Sequence, residues 1–172
     1  MNKKISIKYG AISGLLIVSS WFISLMIWGP DLNFSGGELF GYAVMILSLT
    51  AVFMGVKNRR DERGEVFTFK EGFFTGLGIV LVASTIYVVG WMIYMPNFAP
   101  DFADKYGASQ IEMIQQQDIP DTEKTTQIDS IKKSIANYKK PHVMAAMTFL
   151  EIFPVGLFVA LISALILKRK KE

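Results

Sequence analysis

Glu151 is the residue of this chain whose position could support chemistry. It lies within an apolar stretch that begins at Val143, reaches Leu167 and contains no other charge. Glu151 is eight positions after Val143. At about 1.5 Å per residue, a helix would place Glu151 about 12 Å from the start of that stretch. An acid at such depth in a membrane is costly, and it usually faces the interior of a helix bundle and pairs there. Glu151 is therefore a candidate functional residue.

Pro154 follows Glu151 by three positions. Because proline has no amide hydrogen, the carbonyl of Leu150 loses its helical partner and the helix is expected to bend. A carboxyl group beside a free acceptor could form a proton or cation site, as broken helices do in transporters. Alternatively, Glu151 could hydrogen-bond across helices and simply hold the bundle together. The partners expected at comparable depth are Ser20, Ser48, Ser84 and Tyr87.

Other reactive groups are scarce in the sequence. Cysteine is absent and His142 is the single histidine, which excludes disulfides, thiolate nucleophiles and cysteine-based metal sites. His142 and Glu151 are nine positions apart, about 180° around a helix, so they cannot share a metal. Motifs for phosphate loops, serine nucleophiles and zinc hydrolases are missing. We expect a protein that is not an enzyme and that has no metal and no cofactor.

The distribution of charge predicts the fold class. Hydrophobic residues make up 51% of the 172 residues and charged residues 19%, and four long stretches are almost free of charge. Because about 20 apolar residues cross the hydrocarbon core, we predict four transmembrane helices at about residues 9–29, 39–56, 73–95 and 143–167. The expected fold is an all-α membrane protein, a four-helix bundle forming one domain over residues 1–172.

Basic residues predict the orientation of these spans. Most of the 18 lysines and arginines lie in the N-terminal segment, between spans two and three, and in the C-terminal tail. Since basic residues near span ends resist translocation, we predict that the N and C termini are both cytoplasmic. The basic residues flank the spans and form no single stripe, which argues against nucleic acid as a partner. The lipid bilayer is the expected environment.

Small residues predict where the helices approach one another. Gly10 and Gly14 open span one with GxxxG spacing, and Gly72 and Gly76 open span three in the same way. Because close backbone contact is the main packing device in lipid, we expect these two ends to meet. The same faces could instead mediate a homo-oligomer or contact with another membrane protein.

Spans two and four also have small residues at helical spacing. In span four, Gly156, Ala160 and Ala164 recur at four-residue steps, which puts them on one face. In span two, the residues predicted to share a face are Gly41, Ser48, Ala51 and Gly55.

Two capping boxes indicate where helices begin. Ser35 and Glu38 precede span two, and Thr68 and Glu71 precede span three. In this motif a hydroxyl and a carboxylate reciprocally bind free backbone amides. We therefore interpret both glutamates as helix caps rather than as catalytic acids.

Residues 96–142 are too many for a turn and too polar for a span, and we predict a short helical extracytoplasmic segment there. Apolar residues recur at helical spacing in two groups, separated by Pro120, with Asp121 as the predicted N-cap of the second helix. The segment could cover the span ends or bind a partner. The apolar positions are Phe102, Tyr106, Ile111 and Ile114, then Ile128, Ile131, Ile135 and Tyr138.

The last span carries a resemblance to a known family. The run Glu151-Ile152-Phe153-Pro154-Val155-Gly156-Leu157 is similar to that of a bacterial membrane family called domain of unknown function 4199, and the resemblance extends over almost the whole chain. It implies a four-span protein of the bacterial inner membrane and supplies no catalytic residue. We expect a non-enzymatic accessory or structural membrane component; the alternative is an oligomeric transporter or channel that uses Glu151.

Overall fold

The computed structural model describes residues 2–28, 34–64 and 66–169, and it describes their side chains except those within residues 27–38. This part of the chain contains six α-helices and no β-strand. The helices are α1 (Lys3–Trp28), α2 (Phe34–Arg63), α3 (Phe69–Phe98), α4 (Phe102–Gln115), α5 (Asp121–Tyr138) and α6 (Pro141–Leu167).

Four of these helices are long and apolar enough to cross a membrane. The candidate spans lie in α1, α2, α3 and α6, and they confirm the all-α membrane fold. The helices extend beyond the predicted spans at several ends. At the end of α2, Arg59 and Glu62 form an exposed ion pair at 3.3 Å, because a helix can continue into water where charged side chains are solvated. Hydropathy predicts only the part of a helix that suits lipid.

The chain divides into two compact units. The first comprises Met1–Trp91 and Thr148–Glu172, and the second comprises Met92–Met147. The first unit holds α1, α2 and most of α3 and α6, and the second holds α4 and α5.

One hydrophobic core joins the four long helices in the first unit. Its buried residues come from α1, α2, α3 and α6, as expected of a helix bundle. Among them are Ile17, Leu49, Val52, Ile79, Val80 and Ile152.

Helices α3 and α6 pack through small residues. A Cβ atom added to Gly76 would lie 2.8 Å from the Cβ of Ala160, and one added to Gly72 would lie 3.2 Å from the Cα of Ala164. One added to Gly156 would lie 2.6 Å from a methyl group of Val80. Residue numbers rise on one helix as they fall on the other, so these contacts form an antiparallel ladder.

Helices α1 and α3 are also in close contact, but not where we predicted. A Cβ atom on Gly10 would lie 2.8 Å from the carbonyl oxygen of Ile79, and one on Gly14 would lie 3.1 Å from that of Ala83. The expected meeting of Gly10 and Gly14 with the glycines that open α3 is therefore wrong. Helix α3 begins about three turns before the level of Gly10, and its first glycines contact α6.

The predicted face of α2 is correct except at its first residue. Ser48 and Ala51 are buried, and a Cβ atom on Gly55 would lie 3.1 Å from the Cβ of Tyr9. Gly41 is exposed, and an added Cβ atom there would have no neighbour within 4 Å. Helical spacing identified a shared face, but packing uses only part of its length.

Three segments rich in basic residues meet at one end of the first unit. The backbone amides and carbonyls of Phe67 and Arg169 form a two-bond bridge, with N···O distances of 3.1 and 2.8 Å. Asn2 Nδ2 donates to Glu62 Oε2 at 3.3 Å. The N terminus, the end of α2 and the C-terminal tail therefore lie together.

The capping box at the start of α3 is confirmed. Glu71 N donates to Thr68 Oγ1 at 3.2 Å, and Thr68 N donates to Glu71 Oε2 at 3.2 Å. Arg63 also contacts Glu71 at 2.6 Å. The side chains of the other predicted box, Ser35 and Glu38, lie outside the described residues.

The second unit contains the two helices predicted for residues 96–142. Helix α4 packs against α5 where Gly107 contacts Ile135, and Lys139 Nζ pairs with Asp104 Oδ1 at 2.7 Å. Asp121 is the first residue of α5 and Pro120 is its N-cap, with no side-chain cap bond. The predicted Asp121 cap is wrong by one position, because Pro120, with ψ of 143°, already has the extended backbone of a cap.

Candidate functional site

A hydrogen bond joins the candidate acid of α6 to α3. Tyr87 Oη donates to Glu151 Oε2 at 3.2 Å. Tyr87 lies seven residues after Val80, and Glu151 lies five residues before Gly156, so the bond continues the antiparallel ladder between these helices. Of the four partners considered from the sequence, the structure selects Tyr87.

The phenol of Tyr87 is held in place by neighbouring rings. Its side chain is buried, with 5% of its surface exposed. Trp21 on α1 lies with its ring 5.1 Å from that of Tyr87 and 5.0 Å from that of Trp91. Tilted and edge-to-face ring pairs of this kind are favourable. The donor to Glu151 is therefore fixed by helices α1 and α3 together.

The side chain of Glu151 is exposed, although we expected it to face the interior of the bundle. The inward face of α6 is set by Gly156, Ala160 and Ala164, whose small size allows α3 to approach. Glu151 precedes Gly156 by five residues, about 140° around the helix. It therefore lies at the flank of the contact, where the long side chain of Tyr87 can still reach it. Since α6 is apolar on all sides, its hydrophobic pattern could not predict this orientation.

The buried serines near the core do not bind Glu151. Ser20 Oγ donates to the carbonyl of Ile17 at 2.7 Å, and Ser84 Oγ is buried without a hydrogen-bond partner in the described structure. Ser6 and Ser13 have the same unpartnered, buried hydroxyls. We did not predict these two positions, although serine recurs every seven residues on α1, a spacing that puts Ser6, Ser13 and Ser20 on one face.

Pro154 lies inside α6, which continues without a break from Pro141 to Leu167. Its side chain is exposed, as is that of Glu151. Since proline cannot donate a hydrogen bond, the Leu150 carbonyl has no α-helical partner at this position. Glu151 and Pro154 thus put a carboxyl oxygen and a backbone acceptor on the same side of α6.

Glu151 takes part in an interhelical hydrogen bond in this arrangement. Within the described residues, Glu151 has one hydrogen bond, from Tyr87, and no ion pair. Acid–base chemistry usually needs a second group that converges on the reacting atoms. In the described part of the chain, no three His, Asp or Glu side chains are grouped as metal ligands.

The fold and this site define a multi-pass helical membrane protein with a hydrogen-bonded acid on one span. A family model described as "Protein of unknown function (DUF4199)" matches residues 8–169. The chain belongs to this family, which confirms the resemblance found around Glu151 and Pro154. No curated protein and no solved structure matches the chain.

Proposed function

We propose that this protein is a non-enzymatic accessory or structural component of the bacterial inner membrane. It acts by packing its helices against one another and against a membrane protein partner. The observation that supports this proposal is the hydrogen bond from Tyr87 to Glu151. It gives the acid of α6 a structural use, because it joins two spans beside their close contact at Gly156.

The packing around the bond supports the same role. The ladder from Gly72 to Gly156 brings α3 and α6 into close backbone contact, which is the main source of helix association in lipid. An interhelical hydrogen bond at the end of this ladder adds directional specificity. Glu151 is then a helix-contact residue rather than a site of turnover.

We further propose that both termini are cytoplasmic. The bridge between Phe67 and Arg169, and the bond from Asn2 to Glu62, lie at the end of the first unit where basic residues cluster. Basic segments at span ends favour the cytoplasmic side. They also attract anionic headgroups, by about 1 kcal/mol for each lysine or arginine near the surface.

One observation favours a second candidate, an oligomeric transporter or channel. Glu151 is exposed, and its Oε1 atom has no hydrogen-bond partner among the described residues. An acid on a span with spare hydrogen-bonding capacity is a recurring feature of proton and cation pathways. This candidate requires water to reach Glu151, whereas the structural role does not.

Reconstituted vesicles distinguish the two functions. The test compares wild type with Glu151→Gln, which can still accept the Tyr87 bond but cannot ionise. The structural role predicts that neither protein carries proton or cation flux above that of empty vesicles, and that both unfold at similar temperatures. Flux through the wild type that is lost in an equally stable Glu151→Gln protein would overturn the proposal in favour of transport.

A further inference from the structure

One face of α6 is exposed along its length, although Tyr87 hydrogen-bonds to its one acid, Glu151. We define the outer stripe of α6 as the residues Leu150, Glu151, Pro154, Phe158, Ile162 and Leu165. Their side chains are exposed, to 65% for Leu150 and 63% for Phe158. All but Glu151 are apolar, so the stripe is a hydrophobic surface with a carboxyl group in it.

The polar atoms of this stripe can accept more hydrogen bonds than they receive within the chain. Tyr87 binds one oxygen of Glu151, the other has no partner in the described chain, and Pro154 leaves the Leu150 carbonyl unbonded in the α-helical pattern. Polar groups inside hydrocarbon are costly unless they are satisfied. Lipid tails provide no hydrogen-bond donor. A purely apolar stripe would need no partner in lipid, whereas this stripe carries acceptors that lipid cannot satisfy.

We propose that the outer stripe of α6 binds the same stripe of a second copy of this chain, with the two Glu151 carboxyl groups hydrogen-bonded to each other. The proposal rests on the proposed function, in which Glu151 is a helix-contact residue. The small residues of α1, α3 and α6 are already used within the chain. A self-contact through those faces would have to break the bundle, whereas the outer stripe is free.

Symmetry favours a second copy over an unrelated partner. Two copies inserted in the same orientation are related by a twofold axis along the membrane normal, so each residue lies level with its own copy. The symmetry alone therefore places Glu151 of one copy at the same depth as Glu151 of the other. Two carboxyl groups that share a proton are mutually complementary, and an unrelated protein would need its own donor at that depth.

A cysteine crosslink tests this contact, and the natural chain has no cysteine to interfere. Phe158 lies seven residues after Glu151 on the same stripe, so Phe158→Cys is the test variant. Met54→Cys is the matched control. Gly76 contacts both Ala160 and Val56, so these two residues lie at the same depth in the bundle. Phe158 lies two residues before Ala160, and Met54 lies two residues before Val56, so the two cysteines would also be at similar depth. Met54 is similarly exposed, at 58%.

The expected result is a disulfide-linked dimer after oxidation of native membranes containing Phe158→Cys, with the Met54→Cys yield at least tenfold lower. Adding Glu151→Leu should reduce the Phe158→Cys yield about tenfold, as the loss of one or two interhelical hydrogen bonds predicts. Equal yields from the two cysteines, or a crosslink from Phe158→Cys to a different protein, would overturn the proposal.

A third variant separates this proposal from the proposed function. Tyr87→Phe removes the bond within the chain and leaves Glu151 free to meet its copy, so Phe158→Cys should still crosslink in that background. A crosslink lost in Tyr87→Phe protein that remains folded would contradict contact through Glu151. Ion flux that depends on Glu151 would instead contradict the proposed function and leave the dimer test unaffected.

Discussion

Tyr87 of α3 donates a hydrogen bond to Glu151 of α6 at 3.2 Å, close to the point where Gly156 lets the two helices touch. The bond joins the buried residue Tyr87 to Glu151, a residue that is exposed on the surface of α6. It explains how an acid is accommodated on an apolar span.

Replacing Tyr87 with phenylalanine should weaken the bundle. The change removes one interhelical hydrogen bond and keeps the ring that packs on Trp21, so we expect a loss of about 0.5–1.5 kcal/mol in the free energy of unfolding. Denaturant titration in detergent measures it. Tyr42→Phe is the control, because Tyr42 is 55% exposed on α2, and it should leave stability unchanged. Equal effects from the two variants would contradict a role for the hydroxyl of Tyr87.

Alanine at Gly76 should destabilise the protein, because its methyl group would lie 2.8 Å from the Cβ of Ala160. The helices must separate to admit it, at a cost of about 1–3 kcal/mol. Gly41→Ala adds the same methyl group to a helix where nothing lies within 4 Å. The midpoint temperature of thermal unfolding should fall for Gly76→Ala and stay unchanged for Gly41→Ala. An equal fall in the Gly41→Ala protein would show that the close contact between α3 and α6 is not the cause.

Loss of the capping box should affect the start of α3. Thr68→Ala removes the hydroxyl that accepts from Glu71 N at 3.2 Å, and we expect a loss of about 0.5–2 kcal/mol. Thr85→Ala is the control, since its hydroxyl donates to Leu81 O within the same helix. Amide hydrogen exchange should accelerate in the first turn of α3 for Thr68→Ala only. Unchanged exchange there would argue against the cap.

In the second unit, packing should matter more than charge. Gly107→Leu forces a side chain against Ile135 and should separate α4 from α5, which increases proteolysis of residues 96–142. Asp104→Asn removes an ion pair with Lys139 whose partners are both more than half exposed. Such pairs contribute about 0–1 kcal/mol, so this variant should resist protease like the wild type. Greater cleavage of Asp104→Asn than of Gly107→Leu would reverse this ranking.

Local signals in the sequence predicted much of the fold. The spans follow from apolar length, and the Thr68–Glu71 cap follows from a three-residue spacing that the two side chains satisfy by themselves. The partners of Gly10 and Gly72 could not be predicted in this way. They depend on how far α3 extends relative to α1, which is decided by packing along the whole bundle.

The candidate site was only partly predictable for a related reason. Depth identified Glu151, and the same estimate placed Tyr87 among four possible partners. The direction of the Glu151 side chain depends on which side of α6 meets α3. That side is set by Gly156 and Ala160, and an apolar helix gives no polar face from which to infer it.

We propose that Glu151 is a helix-contact residue that water does not reach. Labelling of native membranes with a water-soluble carbodiimide, followed by peptide mass spectrometry, tests it most directly. Glu62, exposed at the end of α2, serves as the internal standard. We expect Glu62 to be modified and Glu151 to remain unmodified. Modification of Glu151 at a rate close to that of Glu62 would show that water reaches Glu151 and would overturn this role.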